Sequence, residues 1–383
     1  MAPDYDPTTI LAWLAGPGRR LADGAELFGG ICERVRAAGL PLERSAIQLF
    51  DLHPLVFAYC LHWHPGAPAY EVDHGHTFAA PTPETRTPYH AALDEGGFLH
   101  RRLERGETDL ALLRDLRAQG FTDYLSIAIP SSASLPPGVS WATRAPGGFA
   151  DGQVALLKAL APHLGPPFEM LAERRKLATV LRTYVGRGPA TEVLAGRVRR
   201  GDVRRLDAVV LLTDLRGFSR MTAIQSETET LTALALYAEA VVAAVTARGG
   251  DVLKLMGDGI LAIFPVESPG QAALACTAAL AAVRAARADL ALTSLEFVAV
   301  LNLGAVAYGN VGARERLDFT VIGDAVNVAS RIEAHAKRLA VSVAMTAAVA
   351  RHLDEPVHLL GQVELKDLPG SWELFGVGEP PYR

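Results

Sequence analysis

Asp214 and Asp258 are the residues whose setting points most directly to chemistry. Asp214 ends an apolar run, Leu211-Leu212-Thr213-Asp214-Leu215-Arg216-Gly217-Phe218. Asp258 lies between two strand-like runs, in Lys254-Leu255-Met256-Gly257-Asp258-Gly259-Ile260. A carboxylate at a strand end, followed by a helix start, can hold a divalent cation while the helix N-terminus faces phosphates. Two such carboxylates on neighbouring strands can hold two hard cations, the arrangement used for in-line displacement at phosphorus. Each also has an ordinary structural role open to it. Asp214 can cap a helix, and Asp258 can sit in a type I′ turn.

Asn327 and Arg331 are four apart in Asn327-Val328-Ala329-Ser330-Arg331 and share one face of a helix. An Asn can orient a ribose, and an Arg can neutralise charge growing on a phosphoryl group. A solvated helix surface is the ordinary place for both types. Lys254 interrupts an otherwise apolar strand of Val252, Leu253, Leu255 and Met256, so it either snorkels to an edge or contacts a ligand.

These residues need strands and helices to position them. From Asp207 onward the pattern reads as a strand at Ala208–Thr213, a helical stretch to Arg248, and a hairpin of Asp251–Met256 with Ile260–Pro265. An Ala-rich helix over 270–288, strands at Phe297–Leu303 and Phe319–Ile322, and a helix at Val326–Lys337 follow. The order βαββαβ predicts an α+β fold with an antiparallel sheet covered by helices.

The chain has 383 residues, which makes two domains the prior, and half of it is apolar. A net charge of −5 argues against wrapping a nucleic acid with the whole surface. Three scattered cysteines form no CxxC pair and suit reduced thiols. The acidic first residues do not read as a signal peptide, and no run of about 18 unbroken apolar residues appears, so a soluble cytoplasmic protein without a membrane span is expected. Residues 1–150 read as a mixed α/β domain, with a helix at Glu26–Ala38 and strands at Ser45–Leu52, Val56–Trp63 and Tyr124–Pro130. Residues 151–206 read as a helical linker, broken or kinked at Pro162, Pro166 and Pro167 and ending in an Arg- and Gly-rich stretch.

Residues 207–383 resemble the class III adenylate and guanylate cyclase catalytic domain, a ferredoxin-like, palm-type fold. The resemblance rests on Thr213–Ser219, Lys254–Asp258, Asp318–Arg331 and, more weakly, Val363–Leu368, in the right order and spacing. It implies conversion of ATP to 3′,5′-cyclic AMP and pyrophosphate by a homodimer. Asp214 and Asp258, with the carbonyl of Leu215, would hold two Mg²⁺ or Mn²⁺ ions. Asn327 would orient the ribose and Arg331 would stabilise the α-phosphate. Lys366 would reach the terminal phosphates, although Asp367 replaces the family's Gly there. The turn containing Gly217 and Phe218 would offer backbone N–H groups to phosphate.

The same resemblance reads the base. Members that take GTP carry Glu at the position of Lys254 and Cys at that of Thr320. Lys254 can donate to adenine N1, and Thr320 can accept from the N6 amine. Bicarbonate often stimulates members with Thr at that position. A guanylate cyclase and a catalytically silent nucleotide-binding regulator are the rival readings. A diguanylate cyclase would need a Gly-Gly-Asp/Glu-Glu-Phe word, where this chain has Met256–Ile260.

The first half holds seven histidines between His53 and His100. His62 with His64, and His74 with His76, can each point two imidazoles to one side of a strand, as a metal or haem sensor would need. No zinc-finger or CxxCH spacing is present, and polar strand positions are the ordinary reading. By order and position the segment resembles the GAF-type domains that bind a small-molecule effector ahead of cyclase domains.

Overall fold

In the computed structural model, residues 6–79, 81–104, 109–131, 133–366 and 368–378 are described. The chain divides into two units, residues 1–180 and 181–383.

In the first unit, helices α1 (Thr8–Ala15) and α2 (Gly24–Ala37) precede strands β1 (Arg44–Phe50), β2 (Ala58–Trp63) and β3 (Tyr70–His74). Helix α3 (Pro88–Asp94), β4 (Phe98–Arg102), α4 (Ala111–Ala118), β5 (Asp123–Ala128), β6 (Gly138–Thr143) and the long α5 (Asp151–Val185) follow. The strands form one antiparallel sheet in the order β3-β2-β1-β6-β5-β4. Alternation along β1 and β2 sorts the side chains. Ile47, Leu49, Tyr59, Leu61 and Trp63 join a core with Leu27, Ile31 and Phe28 of α2 and Leu157, Leu160 and Phe168 of α5.

Helix α5 differs from the expected broken linker. It runs unbroken through Pro162, Pro166 and Pro167. Proline's fixed φ is helical, and the hydrogen bonds it forfeits are offset here by burial of Leu156, Leu157, Leu160, Leu164 and Phe168. Residues 151–172 therefore belong to the core of the first unit.

The second unit begins with α6 (Arg187–Leu194), β7 (Val203–Leu215), α7 (Phe218–Ile224) and α8 (Glu227–Thr246). Next come β8 (Asp251–Met256), β9 (Gly259–Val266), α9 (Ala272–Asp289), β10 (Phe297–Gly312), β11 (Leu317–Ile322) and α10 (Asp324–Arg338). Strand β12 (Val343–Thr346), α11 (Ala347–Ala350), β13 (Val357–Glu364) and β14 (Ser371–Val377) close the chain. The sheet order is β13-β14-β12-β10-β7-β9-β8, with β11 paired to β10. The sheet is not wholly antiparallel as expected: β10 and β12 pair in parallel, Ala299 to Val343 through Leu301 to Met345. Helix α10 makes the crossover that a parallel pair requires.

The stretch 187–206, read as linker, is partly built into this unit. The Gly188 N–H donates to Asp251 Oδ1 at 3.0 Å, and the Tyr308 hydroxyl donates to Asp251 Oδ2 at 2.9 Å. Burial pushes the Asp251 carboxyl up, against the pull of these donors. Helix α8 is long and apolar enough in composition to cross a membrane, although no unbroken apolar run was found in it. It packs Tyr237, Val241 and Val245 into a core shared with α9.

Candidate active site

Strand β7 is paired on both sides, so its end is fixed. Asp214 stands opposite Gly259 of β9 and Val298 of β10. Its neighbours Leu212 and Thr213 are buried, and the Thr213 hydroxyl meets the Tyr237 hydroxyl of α8 at 2.6 Å. Asp258 occupies the β8–β9 turn, and its carbonyl accepts from the Leu215 N–H at 3.1 Å. The two acidic residues thus share one end of the sheet. That turn is not type I′. Gly257 has φ +67°, but Ala340 alone among described non-glycine residues has positive φ, so Asp258 does not. The burial of Tyr237, with the negative fields of Asp214, Asp258 and Glu333, raises its pKa.

Beyond Leu215 the chain turns through Gly217, at φ +70°, into the seven residues of α7. The left-handed conformation at that position favours glycine. Phe218 packs against the core as the helix begins.

Helix α10 lies against β10 and β7. Asn302 of β10 fixes its start: the amide donates to the Ala325 carbonyl at 2.8 Å and accepts from the Thr346 hydroxyl at 2.9 Å, all buried. Asp324 in the first turn and His335, Lys337 and Arg338 in the last suit the helix dipole. Lys337 Nζ lies 2.7 Å from Asp214 Oδ2 and 2.8 Å from Glu333 Oε1. Burial raises the Asp214 carboxyl, and Lys337 pulls it back down. Burial works against the Lys337 charge, but its bonds to Asp214 and Glu333 prevail and raise its pKa. A cation is therefore already seated on Asp214. The position accepts positive charge, as the ligand set of a hard divalent ion must.

At about 100° per residue, Glu333 and Lys337 lie on one stripe of α10, while Asn327 and Arg331 lie about 120° away around the axis. Asn327 is about 15 Å along the helix from Lys337. Asn327 is exposed and Arg331 half-buried. One face of this helix serves Asp214 of its own chain, and a different face carries the Asn and the Arg.

Lys254 of β8 donates to Asp318 Oδ2 of β11 at 2.8 Å. The hydrogen bond from Lys254 holds the Asp318 carboxyl below the usual range. Thr320, two residues on, shares the Asp318 face of β11. Lys254 is thus tied to the strand face that carries Thr320, the other base-reading position inferred from sequence. Lys366 is exposed on the turn after β13, at the opposite edge of the sheet from β8, and Asp367 lies outside the described residues.

Sequence reasoning missed Lys337, Glu333 and Asp318. The i, i+4 spacing of Glu333 and Lys337 was a readable signal. Nothing local links Lys254 to Asp318, 64 residues away.

The family profile described as adenylate and guanylate cyclase catalytic domain matches residues 203–375. Over 183 residues the chain is 29% identical to adenylate cyclase 1 of Rhizobium meliloti (strain 1021), covering 45% of this chain and 28% of that protein. Over 154 residues it is 34% identical to an adenylate cyclase of Anabaena cylindrica, covering 38% of this chain and 31% of that protein. The chain thus spans less than a third of the length of these curated relatives. The adenylyl cyclase CyaB from P. aeruginosa aligns with 47% of this chain and 97% of its own, at 22% identity and a TM-score of 0.42.

Proposed function

Taking residues 203–375 as an adenylate and guanylate cyclase catalytic domain of class III, we propose that the chain is an adenylate cyclase forming 3′,5′-cyclic AMP and pyrophosphate from ATP as a homodimer. The observation that carries this reading is the Lys254–Asp318 pair beside Thr320. It ties an ammonium donor to the face of β11 that also carries the Thr320 hydroxyl, an acceptor, and this pair matches adenine N1 and the N6 amine; guanine presents the inverse pattern. The Asp318 carboxylate orients the Lys254 ammonium.

Asp214 and Asp258, with the Leu215 carbonyl, are the groups to hold Mg²⁺ or Mn²⁺. Metal bound there acidifies the ribose 3′-hydroxyl and offsets triphosphate charge. Asn327 orients the ribose. Arg331 meets the charge that grows on the α-phosphate as the 3′-oxygen attacks and pyrophosphate leaves. Lys366 and the turn at Gly217 and Phe218 receive the terminal phosphates. Because Asn327 and Arg331 sit on a face of α10 other than the one that serves Asp214, a second copy supplies them. The cyclase domains then pair about a two-fold axis with two equivalent sites. The first unit acts as a GAF-like domain that takes a small-molecule effector and sets the activity of that pair.

The purified full chain, assayed side by side with ATP and GTP in Mn²⁺, should form cyclic AMP in clear preference to cyclic GMP. A preference for GTP would overturn the base assignment, and no product from either would favour a silent nucleotide-binding regulator.

A further inference from the structure

The sheet of the first unit has two chemically different faces. One is the apolar core under α2 and α5. The other, carrying Arg44, Ala46 and Gln48 of β1 and Cys60 and His62 of β2, lines a cavity of about 270 Å³ beside α3. His74 of β3 stands opposite Ala58, so it faces the same cavity, diagonal to Cys60.

Here the Cys60 sulfur and one ring nitrogen each of His62 and His74 lie within 4.8 Å of one another. Around a tetrahedral zinc-sized ion, sulfur and nitrogen ligands stand about 3.4–3.6 Å apart, given metal distances of about 2.3 and 2.0–2.1 Å. Rotamer adjustment of roughly 1 Å closes the difference. Two ligands come from i and i+2 of one strand and the third from its hydrogen-bonded neighbour, so the backbone needs no rearrangement. Among the described residues, no Asp or Glu lines the cavity. One thiol and two imidazoles suit a borderline transition metal and not Mg²⁺ or Ca²⁺, which take oxygen.

A second observation points into the same space. Gln48 is paired directly with Cys60, is 7% exposed, and its Nε2 has no hydrogen-bond partner among the described residues. A buried amide donor left so is costly and calls for an acceptor within the cavity. An amide donor does not face a cation; it faces an oxygen bound to one. The Arg44 guanidinium, 3.5 Å from His62 Nδ1, adds a further positive charge to the wall.

We infer that Cys60, His62 and His74 bind one transition-metal ion of the zinc class, whose fourth position opens to the cavity and takes an anionic oxygen ligand beside Gln48. Binding ionises Cys60: the thiol proton leaves to solvent as the sulfur–metal bond forms, and no electron is transferred. The charges of ion, thiolate and Arg44 sum to about +2, which is why the fourth ligand is an anion. The site belongs to the first unit and does not depend on the cyclase reading.

The test uses the full chain, stripped with a chelator and titrated anaerobically with Co²⁺, then Zn²⁺. One equivalent of Co²⁺ should give intense tetrahedral visible bands and a near-ultraviolet thiolate-to-metal band, both removed by Zn²⁺. Cys60→Ser should abolish the thiolate band, and His74→Asn should weaken Zn²⁺ binding by about 100-fold or more. Cys32→Ser and Cys276→Ser, at thiols buried elsewhere, should leave the band intact. Circular dichroism of each metal-free variant checks that it is folded; if Cys60→Ser does not fold, His74→Asn decides. Absence of the band in the native chain, its survival in Cys60→Ser, or unchanged Zn²⁺ affinity in folded His74→Asn would each overturn the inference. Cobalt held only by oxygen ligands near Asp214 would give no thiolate band and so counts against it too.

Discussion

Lys337 and Asp214 form an ion pair of 2.7 Å within one chain, with Glu333 on the far side of the ammonium. The pair joins the last turn of α10 to the end of β7, and it places a tethered cation on a carboxylate read as a metal ligand. Lys337→Met should therefore destabilise the metal-free protein by about 1 kcal/mol, a figure discounted for the half-exposed ammonium. The same variant should bind Mn²⁺ several-fold more tightly, since no side chain competes. Thermal melts in chelator and across a Mn²⁺ series measure both. A variant whose melting temperature rises no more with Mn²⁺ than the native chain's would show that Lys337 does not compete with metal.

The two carboxylates should be individually indispensable. Asp214→Ala or Asp258→Ala should lower turnover by about 10³-fold or more, since the metal's stabilisation of phosphoryl charge is several kcal/mol. Product formation at saturating ATP and Mn²⁺ is the readout. Near-normal turnover in either variant would refute the ligand assignment.

If each site takes Asp214 from one copy and Arg331 from the other, two inactive variants should rescue each other. In a mixed dimer of Asp214→Ala with Arg331→Ala, one site carries both lesions and the other neither. Random pairing makes half the dimers mixed, so co-expression should restore about a quarter of native activity. Verified mixed dimers with no activity would mean that the sites are not shared in this way.

Base choice should follow the β8–β11 contact. Lys254→Glu with Thr320→Cys should depress ATP use and admit GTP. Asp318→Asn should raise KM for ATP while changing stability by less than about 1 kcal/mol, because the pair it breaks is largely solvated. Steady-state kinetics with both nucleotides, beside thermal melts, separates the two effects. Unchanged KM in Asp318→Asn would show that this carboxylate does not hold Lys254 for the base.

Truncation should reveal where the second unit begins. A chain starting at Leu181 keeps Gly188 and its bond to Asp251; one starting at Gly201 loses it and leaves a buried carboxylate with one donor fewer. The shorter chain should melt lower by about 2–4 °C, for a loss of about 1 kcal/mol. Identical melting curves would place α6 outside the folded unit.

Much of the second unit was legible in the sequence because its signals are local. The hairpin around Asp258 and the helix carrying Asn327 and Arg331 fall within two residues of their observed bounds, and the apolar run before Asp214 is a strand that starts five residues earlier than expected, at Val203. Strands β3, β4 and β6 and helix α3 went unread, being short or weakly patterned. Their form is set by sheet pairing and by packing over the cavity, not by their own periodicity. The prolines of α5 misled for a related reason: propensity speaks for the isolated helix, and burial of its apolar stripe decided the outcome.

The sequence by itself determined which residue types are present for chemistry, their order along the chain, and the family that four co-linear motifs resemble. Only the tertiary structure decided what meets what. It joined Lys254 to Asp318 across 64 residues, and it turned Lys337 rather than Arg331 toward Asp214. It also gathered Cys60 with His62 and His74 while leaving His64 and His76 exposed. Spacing along a strand fixes which face a side chain takes. Strand register and helix packing, which answer to the whole core, fix what stands opposite it.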